Sequence, residues 1–513
     1  MQKSFIDFGM RQAKVFFRNT LILTGASLLL RILAMGFQIL LSRWIGAAGI
    51  GLYELLMSAY GLAAAVAVSG VRLSTTRLVL ELPLQKGWAR GNVMLLCLGY
   101  SLLLGVGAAA LLWMGSDLAA QRWLDAPALG RCLRTLAFSL PCMAVSACVG
   151  GCFSALRHGG RTAVLQVSEF LFHAGMTALL FFRQTPHSPE AACLLLCKSA
   201  LCSEVFSAVL GSVFFRAERL ERRGGISLSA APDLLAIAVP DAVGSWIRSG
   251  LVTAKHMLIP KGLRKTGIDA MGALAAYGVI QGMTLPVLTF PSILLGTVSG
   301  LLIPEIAERN ARGELARLRS ILRQVLHLTL LFSFFAAAAL TVWGGALGQR
   351  LYRSAEAGRY IRLLAPLTPL MYLDTAVDGM LKGLGLQTAS MRINILDAAL
   401  SLLLVWQLIP RRGVGGYLII LYFSETLNFL LSYRRLFRHA GLKVELYRSV
   451  LAPVLSVCAA VLTPFLLAPT LAKSHPLLSF FAAGGGYFAL LRLFGSVTGR
   501  ELRYFRRLFQ KEP

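Results

Sequence analysis

The amino-acid sequence predicts an all-α protein that crosses a membrane about fourteen times, and three observations carry that expectation. Of its 513 residues 56% are hydrophobic and only 15% charged, with a mean hydropathy of +0.67, far from the balance of a water-soluble domain. Apolar stretches of spanning length recur along the whole chain. The net charge of +27 is spread over the short segments between them, so it does not read as a nucleic-acid-binding surface.

Taken in order, the expected spans are 20–42, 50–72, 92–114, 132–156, 162–183, 190–215, 232–258, 273–303, 320–343, 362–384, 388–410, 413–436, 446–470 and 475–496. Residues 1–19 (MQKSFIDFGMRQAKVFFRN) are basic and amphipathic, and no small-residue cleavage site follows the first apolar run, so a cleavable signal is not expected. With that segment in the cytoplasm, loops on its side hold about 32 Lys and Arg against about 15 on the other. An even span number then leaves both termini cytoplasmic in a multi-pass membrane protein. The nine cysteines fall in or beside spans; Cys148/Cys152 and Cys193/Cys197 share helix faces as small apolar packing residues.

The chain also repeats itself. Shifted by 228 residues, LAFSLPCMAVSACVGGCFSAL (136–156) lies over LAPLTPLMYLDTAVDGMLKGL (364–384), and Gln166 and Glu169 meet Asn394 and Asp397. A shift of 221 sets Glu204 over Glu425. Repeated halves are common in secondary transporters. The expected organisation is an N-lobe (1–215), a cytoplasmic linker (216–231), a C-lobe (232–437), two further spans (438–496) and a basic tail (497–513), with two pseudo-repeated six-helix lobes around a central cavity. The stretch PEIAERNARGELARLRSILRQ (304–324) places Leu315, Leu318 and Leu322 at helical spacing, which suits a helix on the membrane surface or a solvated charged loop.

Ionisable residues within spans are costly, about 2.5–3.5 kcal/mol each on insertion scales, and are functional candidates by default. Arg31 lies in the first span with Arg43 at its end; Glu169 and His173 lie in the fifth, where His173 is expected to hydrogen-bond locally to Glu169. The seventh span aligns Asp241, Ser245, Arg248, Val252 and Lys255 on one stripe, and Pro240 should loosen the helix before it. Asp374, Asp378 and Lys382 follow at four-residue steps in the tenth span, either as a functional face or as mutual counterions, with Asp397 in the eleventh. Span eight carries Pro286, Pro291 and Pro304 and should bend. Two lobes meeting at a partly cationic cavity suit a cargo with an anionic head, because arginine binds phosphate bidentately and stays charged when partly desolvated. No nucleophile triad, metal-ligand spacing or phosphate-binding glycine loop points to an enzyme, and catalytic and metal sites are expected to be absent.

RILAMGFQILLSRWIGAAGIGLYELLMSAYGL (31–62), PCMAVSACVGGCFSALRHGGRTAVLQVSE (141–169), LLAIAVPDAVGSWIRSGLVTAKHMLIPKGL (234–263) and YGVIQGMTLPVLTFPSILLGTVSGLLIPEIAE (277–308) resemble the stage V sporulation protein B group of polysaccharide exporters. That group lies in the multidrug/oligosaccharidyl-lipid/polysaccharide (MOP) flippase superfamily, beside the MurJ and Wzx flippases. The resemblance implies alternating access, a lipid-linked oligosaccharide as cargo, and a setting in peptidoglycan synthesis for the spore cortex, with cell-wall synthesis proteins as candidate partners. Arg31 and Arg43 fall on the group's first-span arginines, whereas Gln38, Lys255, His256 and His173 depart from its usual residues. The expected function is thus a flippase for an undecaprenyl-pyrophosphate-linked precursor such as lipid II. Arg31, Arg43, Arg248 and Lys255 would bind its head, and Glu169, Asp374, Asp378 and Asp397 would tune the cavity or bind a coupling ion, Na+ or H+, with no other cofactor. The alternatives are a cation-coupled multidrug exporter, a membrane glycosyltransferase or ligase, which the short loops disfavour, and a non-transporting component of wall synthesis.

Overall fold

The computed structural model describes residues 2–86, 88–218, 220, 230–441, 447–467 and 476–496. Most of the expected linker (216–231) and all of the basic tail (497–513) lie outside the described residues. Every regular element among the described residues is helical, and each expected span coincides with helix wherever it is described.

Two glycines explain why helices longer than a bilayer still serve as spans. Helix α1 (Gln2–Val68) would measure about 100 Å if straight, against about 30 Å of hydrocarbon. It breaks at Gly46, whose φ of +71° lies in the left-handed region that glycine enters without a Cβ clash. Gln38 and Glu54, equally far from that break, approach to 3.3 Å, where a straight helix would hold them about 24 Å apart. The chain therefore doubles back, giving spans one and two. Helix α15 (Gln387–Ala440) repeats the device at Gly413, φ +56°, and Asn428 Nδ2 reaches Asn394 Oδ1 at 3.1 Å across the turn.

Between these lie α2 (Val71–Lys86), α3 (Arg90–Leu118), α4 (Leu129–Ala137), α5 (Ser139–Ala155), α6 (Gly159–Arg183), α7 (Pro189–Ala217) and α8 (Ala231–Arg264). Then follow α9 (Ala270–Gly278), α10 (Leu285–Thr289), α11 (Ser292–Ala311), α12 (Leu315–Tyr352), α13 (Ala355–Leu364) and α14 (Thr368–Gly383). After α15 come α16 (Ala452–Leu467) and α17 (Pro476–Leu493). Span eight bends as its prolines and glycines predict: a widened π-helical turn, Val279–Thr284, precedes Pro286, and the helix breaks again at Phe290–Pro291. Helix α8 is different. It runs unbroken through Pro240 and Pro260, so the loosening expected at Pro240 is not realised as a break.

Packing divides the chain into two compact units, Met1–Gly282 with Ala398–Tyr417, and Met283–Asp397 with Leu418–Pro513. In the first, Val71, Val79, Met94, Cys148, Cys152, Phe153 and Ala238 form a core that joins α2, α3, α5 and α8. Cys193 and Cys197 are buried as well, so both cysteine pairs pack as predicted. In the second unit, Ile306, Leu318, Leu322, Val377, Leu381 and Leu436 close α11, α12, α14 and the end of α15 around one core. Leu318 and Leu322 are thus buried against protein, and 304–324 is neither a surface helix nor a loop but the end of α11, a turn at Gly313 and the start of α12. Span fourteen packs plainly: Tyr487 and Phe480 on α17 meet Phe335 and Trp343 of α12, and Tyr487 Oη donates to Leu331 O at 2.9 Å.

Candidate functional site

The four cations proposed from sequence all belong to the first unit. Arg31 is exposed on the first arm of α1 and bonds to no other described residue. Seven residues on, along the same helix face, Gln38 donates to Gly282 O at 3.1 Å and to Glu54, so this face leads from the arginine into the π-helical turn of span eight. Arg43 is exposed three residues before the break, beside Trp44, which stacks on Phe181 at 5.3 Å. On α8, Ser249 and Thr253 donate to Gly61 O and Ser58 O, fixing this helix on the second arm of α1. Arg248 stands beside that contact, exposed and without a described partner, and Lys255 is half-buried two turns further. Asp241 does not serve the cationic stripe. Its Oδ2 accepts from Gly70 N at 3.1 Å, satisfying the turn between α1 and α2.

Glu169 is held by the helix that follows it. Ser207 Oγ donates to Glu169 Oε2 at 2.7 Å and Ser203 Oγ to Glu169 O at 3.1 Å. His173 does not take the expected place beside Glu169: its Nε2 meets no partner among the described residues, and its ring packs on Phe37 at 5.5 Å. A hydroxyl on a neighbouring helix reaches the carboxylate where a residue one turn along the same helix does not.

The acids of the second unit come together as the sequence pattern suggests. Asp374, Asp378 and Lys382 share one face of α14, with Lys382 Nζ 2.6 Å from Asp378 Oδ2. Ser390 Oγ donates to Asp378, Asn394 Nδ2 to Ser390 Oγ at 3.4 Å, and Asn428 Nδ2 to both Asn394 Oδ1 and Asp374 Oδ2, at 3.1 and 3.3 Å. One turn away, Ser424 Oγ lies 2.8 and 2.9 Å from the two oxygens of Asp397. Three helical segments thus form a continuous polar seam in an apolar bundle. Within it Asp374 Oδ1 is buried with no described partner, so the seam keeps unused acceptor capacity.

The sequence reading missed the polar node around the π-helical turn. Glu54 and Gln38 meet across Gly46, Tyr417 Oη donates to Gln281 Oε1 at 3.1 Å, and His256 Nδ1 lies 2.8 Å from Tyr277 Oη. The available signal was Gln38 itself, seven residues from Arg31 in an apolar span. The 221-residue shift also carries more than Glu204 over Glu425. It sets Ser203 over Ser424 and Ser207 over Asn428, the residues that serve Glu169 in one unit and the Asp397 seam in the other.

Long apolar helices, two of them broken at glycines, define a polytopic helical membrane protein. Residues 16–247 match the family model for polysaccharide biosynthesis proteins, and residues 271–406 match the MatE model. The chain is similar to stage V sporulation protein B of Bacillus subtilis (strain 168), at 23% identity over 415 residues, 78% of this chain and 79% of that one. Among solved structures, lipid II flippase MurJ in an inward closed conformation matches with a TM-score of 0.69 at 12% identity, covering 96% of this chain and 100% of that one. An inward-facing multidrug resistance MATE family transporter of the MOP superfamily gives 0.59 at 13%, covering 83% and 100%. These solved relatives in fold are a flippase and a transporter, not enzymes.

Proposed function

We propose that the chain is a flippase that carries an undecaprenyl-pyrophosphate-linked oligosaccharide, lipid II or a close relative, from the cytoplasmic to the outer leaflet by alternating access, in the service of spore cortex synthesis. Both termini are on the cytoplasmic side. The observation that carries this reading is the pair Arg31 and Arg248, exposed on membrane helices without a carboxylate partner among the described residues. An arginine kept unpaired at such cost is available to a substrate anion, and its planar fork fits a pyrophosphate oxygen pair. Arg43 and Lys255 extend the same service, and the polyprenyl tail stays in lipid. An interior-negative potential favours the outward step by about 2.3 kcal/mol per negative charge per 100 mV. Glu169, Asp374, Asp378 and Asp397 tune these cations or hold a coupling Na+ or H+, and cell-wall synthesis proteins receive the product.

A second reading, a cation-coupled multidrug exporter, is favoured by the MatE match over 271–406, which contains Asp374, Asp378 and Asp397. Proteoliposomes separate the two. Flipping of fluorescent lipid II should fall about 10-fold or more in Arg31→Ala and in Arg248→Ala, since each removes a charge-assisted contact of about 1.5–3 kcal/mol. Wild-type flipping by both variants, or uptake of cationic drugs with no lipid II movement, would sink the flippase reading.

A further inference from the structure

A second concentration of positive charge lies far from Arg31 and Arg248. Helix α8 ends in Lys261, Arg264 and Lys265, and Arg264 is about 24 Å along the axis from Arg248. With the termini placed inside by charge bias, this is the outer end of the unit, where only about 15 of the chain's Lys and Arg are expected. Six of them gather here. Lys261, Arg264 and Lys265 line a cavity of about 620 Å³ with Asp125 and Asp269, within the size range of small-ligand sites. Arg411 and Arg412 join from the break in α15: a Cβ on Gly262 would stand 2.8 Å from Ile409 Cγ2, and one on Gly413 3.6 Å from Thr266 Oγ1, so the 409–413 turn rests on the 262–266 segment. Arg122 is the sixth.

Like charges placed together repel unless something orders them or a ligand compensates them. Here a single acid does the ordering. Asp125, held at a φ of +51° that is uncommon for a residue with a side chain, sets Oδ2 3.3 Å from Arg264 Nη1 and Oδ1 3.7 Å from Lys261 Nζ. Lys261 Nζ also donates to Arg122 O at 2.6 Å. The two cations stay about a third to a half exposed, 32% and 47%, so most of Arg264's five donors and Lys261's three remain for a ligand. Lys265 is exposed and its side chain bonds to no described residue.

We propose that Lys261, Arg264 and Lys265, pinned by Asp125 and rimmed by Arg411 and Arg412, form a binding site for a phosphate-bearing anion at this end of the unit, separate from the intramembrane arginines. The ligand is a phosphate or pyrophosphate group, supplied by the headgroup of a lipid in the adjoining leaflet or free in solution. The site does not depend on what cargo the chain carries.

The test uses the full chain in nanodiscs of zwitterionic lipid, titrated with inorganic pyrophosphate by calorimetry. The double variant Lys261→Gln/Arg264→Gln should bind at least about 10-fold more weakly, and Lys265→Gln, which breaks no internal contact, about 3-fold more weakly. Arg435→Gln, an exposed cation on the last turns of α15, should bind as the wild type does. Repeating the titration in nanodiscs that contain phosphatidylglycerol identifies the source: competition marks the lipid headgroup as the ligand, and its absence marks the soluble anion. Wild-type affinity for pyrophosphate in both Lys261→Gln/Arg264→Gln and Lys265→Gln, or no binding of either probe to the wild type, overturns the proposal.

Discussion

Replacing Gly278 by alanine tests whether the backbone crossing between α1 and α9 sets the stability of the first unit. The crossing leaves no room for a methyl group: a Cβ on Gly278 would lie 2.2 Å from Ala47 O and 2.5 Å from Gly51 N, and a Cβ on Gly51 would lie 1.9 Å from Leu274 O. Ordinary C···O contacts begin near about 3.3 Å, so the helices must separate by roughly 1 Å. Such a gap forfeits about a quarter to a half of each dispersion contact along the crossing, and the atoms in the way are backbone, which cannot rotate aside. The expected cost of Gly278→Ala is therefore about 3 kcal/mol, the upper end of overpacking losses. Gly250→Ala on α8, whose Cβ would meet nothing within 4 Å, is the matched control and should lose nothing. Reversible unfolding in mixed detergent micelles reads both. Gly51→Ala should cost as much as Gly278→Ala, while the double variant falls short of the sum because one separation relieves both clashes. Equal stability of Gly278→Ala and Gly250→Ala would refute the close crossing.

Other substitutions probe the second unit. Leu318→Ala and Leu322→Ala, at 1% and 0% exposure, should each destabilise by about 2–5 kcal/mol in the same micelle assay, whereas Leu315→Ala, 50% exposed, should stay within about 0.5 kcal/mol. A membrane-surface helix would give all three leucines similar, small effects. Ser424→Ala removes the hydroxyl shared by both oxygens of Asp397 and should cost about 1–3 kcal/mol. Lys382→Ala opens an ion pair whose side chains are 54% and 29% exposed, and should cost no more than about 1 kcal/mol.

What could be read from the sequence, and what could not, divides along one physical line. Span positions follow from local composition: the break at Gly46 falls between predicted spans and the break at Gly413 on the first residue of the predicted twelfth span, because a polypeptide cannot leave hydrocarbon and return without a turn. The bend in span eight was equally local, written in its prolines. Partner choice was not. The spacing of Leu315, Leu318 and Leu322 is the same whether the leucines meet lipid or protein, and only the packing of α14 and α15 decides it. Likewise Glu169 and His173 sit one turn apart, yet the carboxylate takes its hydrogen bond from Ser207, 38 residues away. Asp241 lies on the cationic stripe by periodicity and caps a turn instead, because an unsatisfied backbone N–H at Gly70 is a fixed demand and an arginine near an exposed face is not.

The internal repeat also holds an unread signal of long-range pairing. The shift that sets Glu204 over Glu425 also sets Ser203 over Ser424, and the structure gives each of those serines a bond to the acid-bearing residue of the preceding arm, Glu169 or Asp397. An acid inside a membrane needs a donor close by, and the adjacent antiparallel arm is the nearest source that does not distort its own helix. The two units then diverge at the next turn of the donor helix. Ser207 bonds through its side chain to Glu169 alone among the described residues, whereas Asn428, with two N–H groups, bridges Asn394 and Asp374 and so links Asp397's neighbourhood to the face of Asp378 and Lys382. That one change, hydroxyl to amide, turns a single supported acid in the first unit into a connected acidic seam in the second. The connected seam of Asp374, Asp378 and Asp397 thus lies in the second unit, while Arg31 and Arg248, without a partner among the described residues, lie in the first.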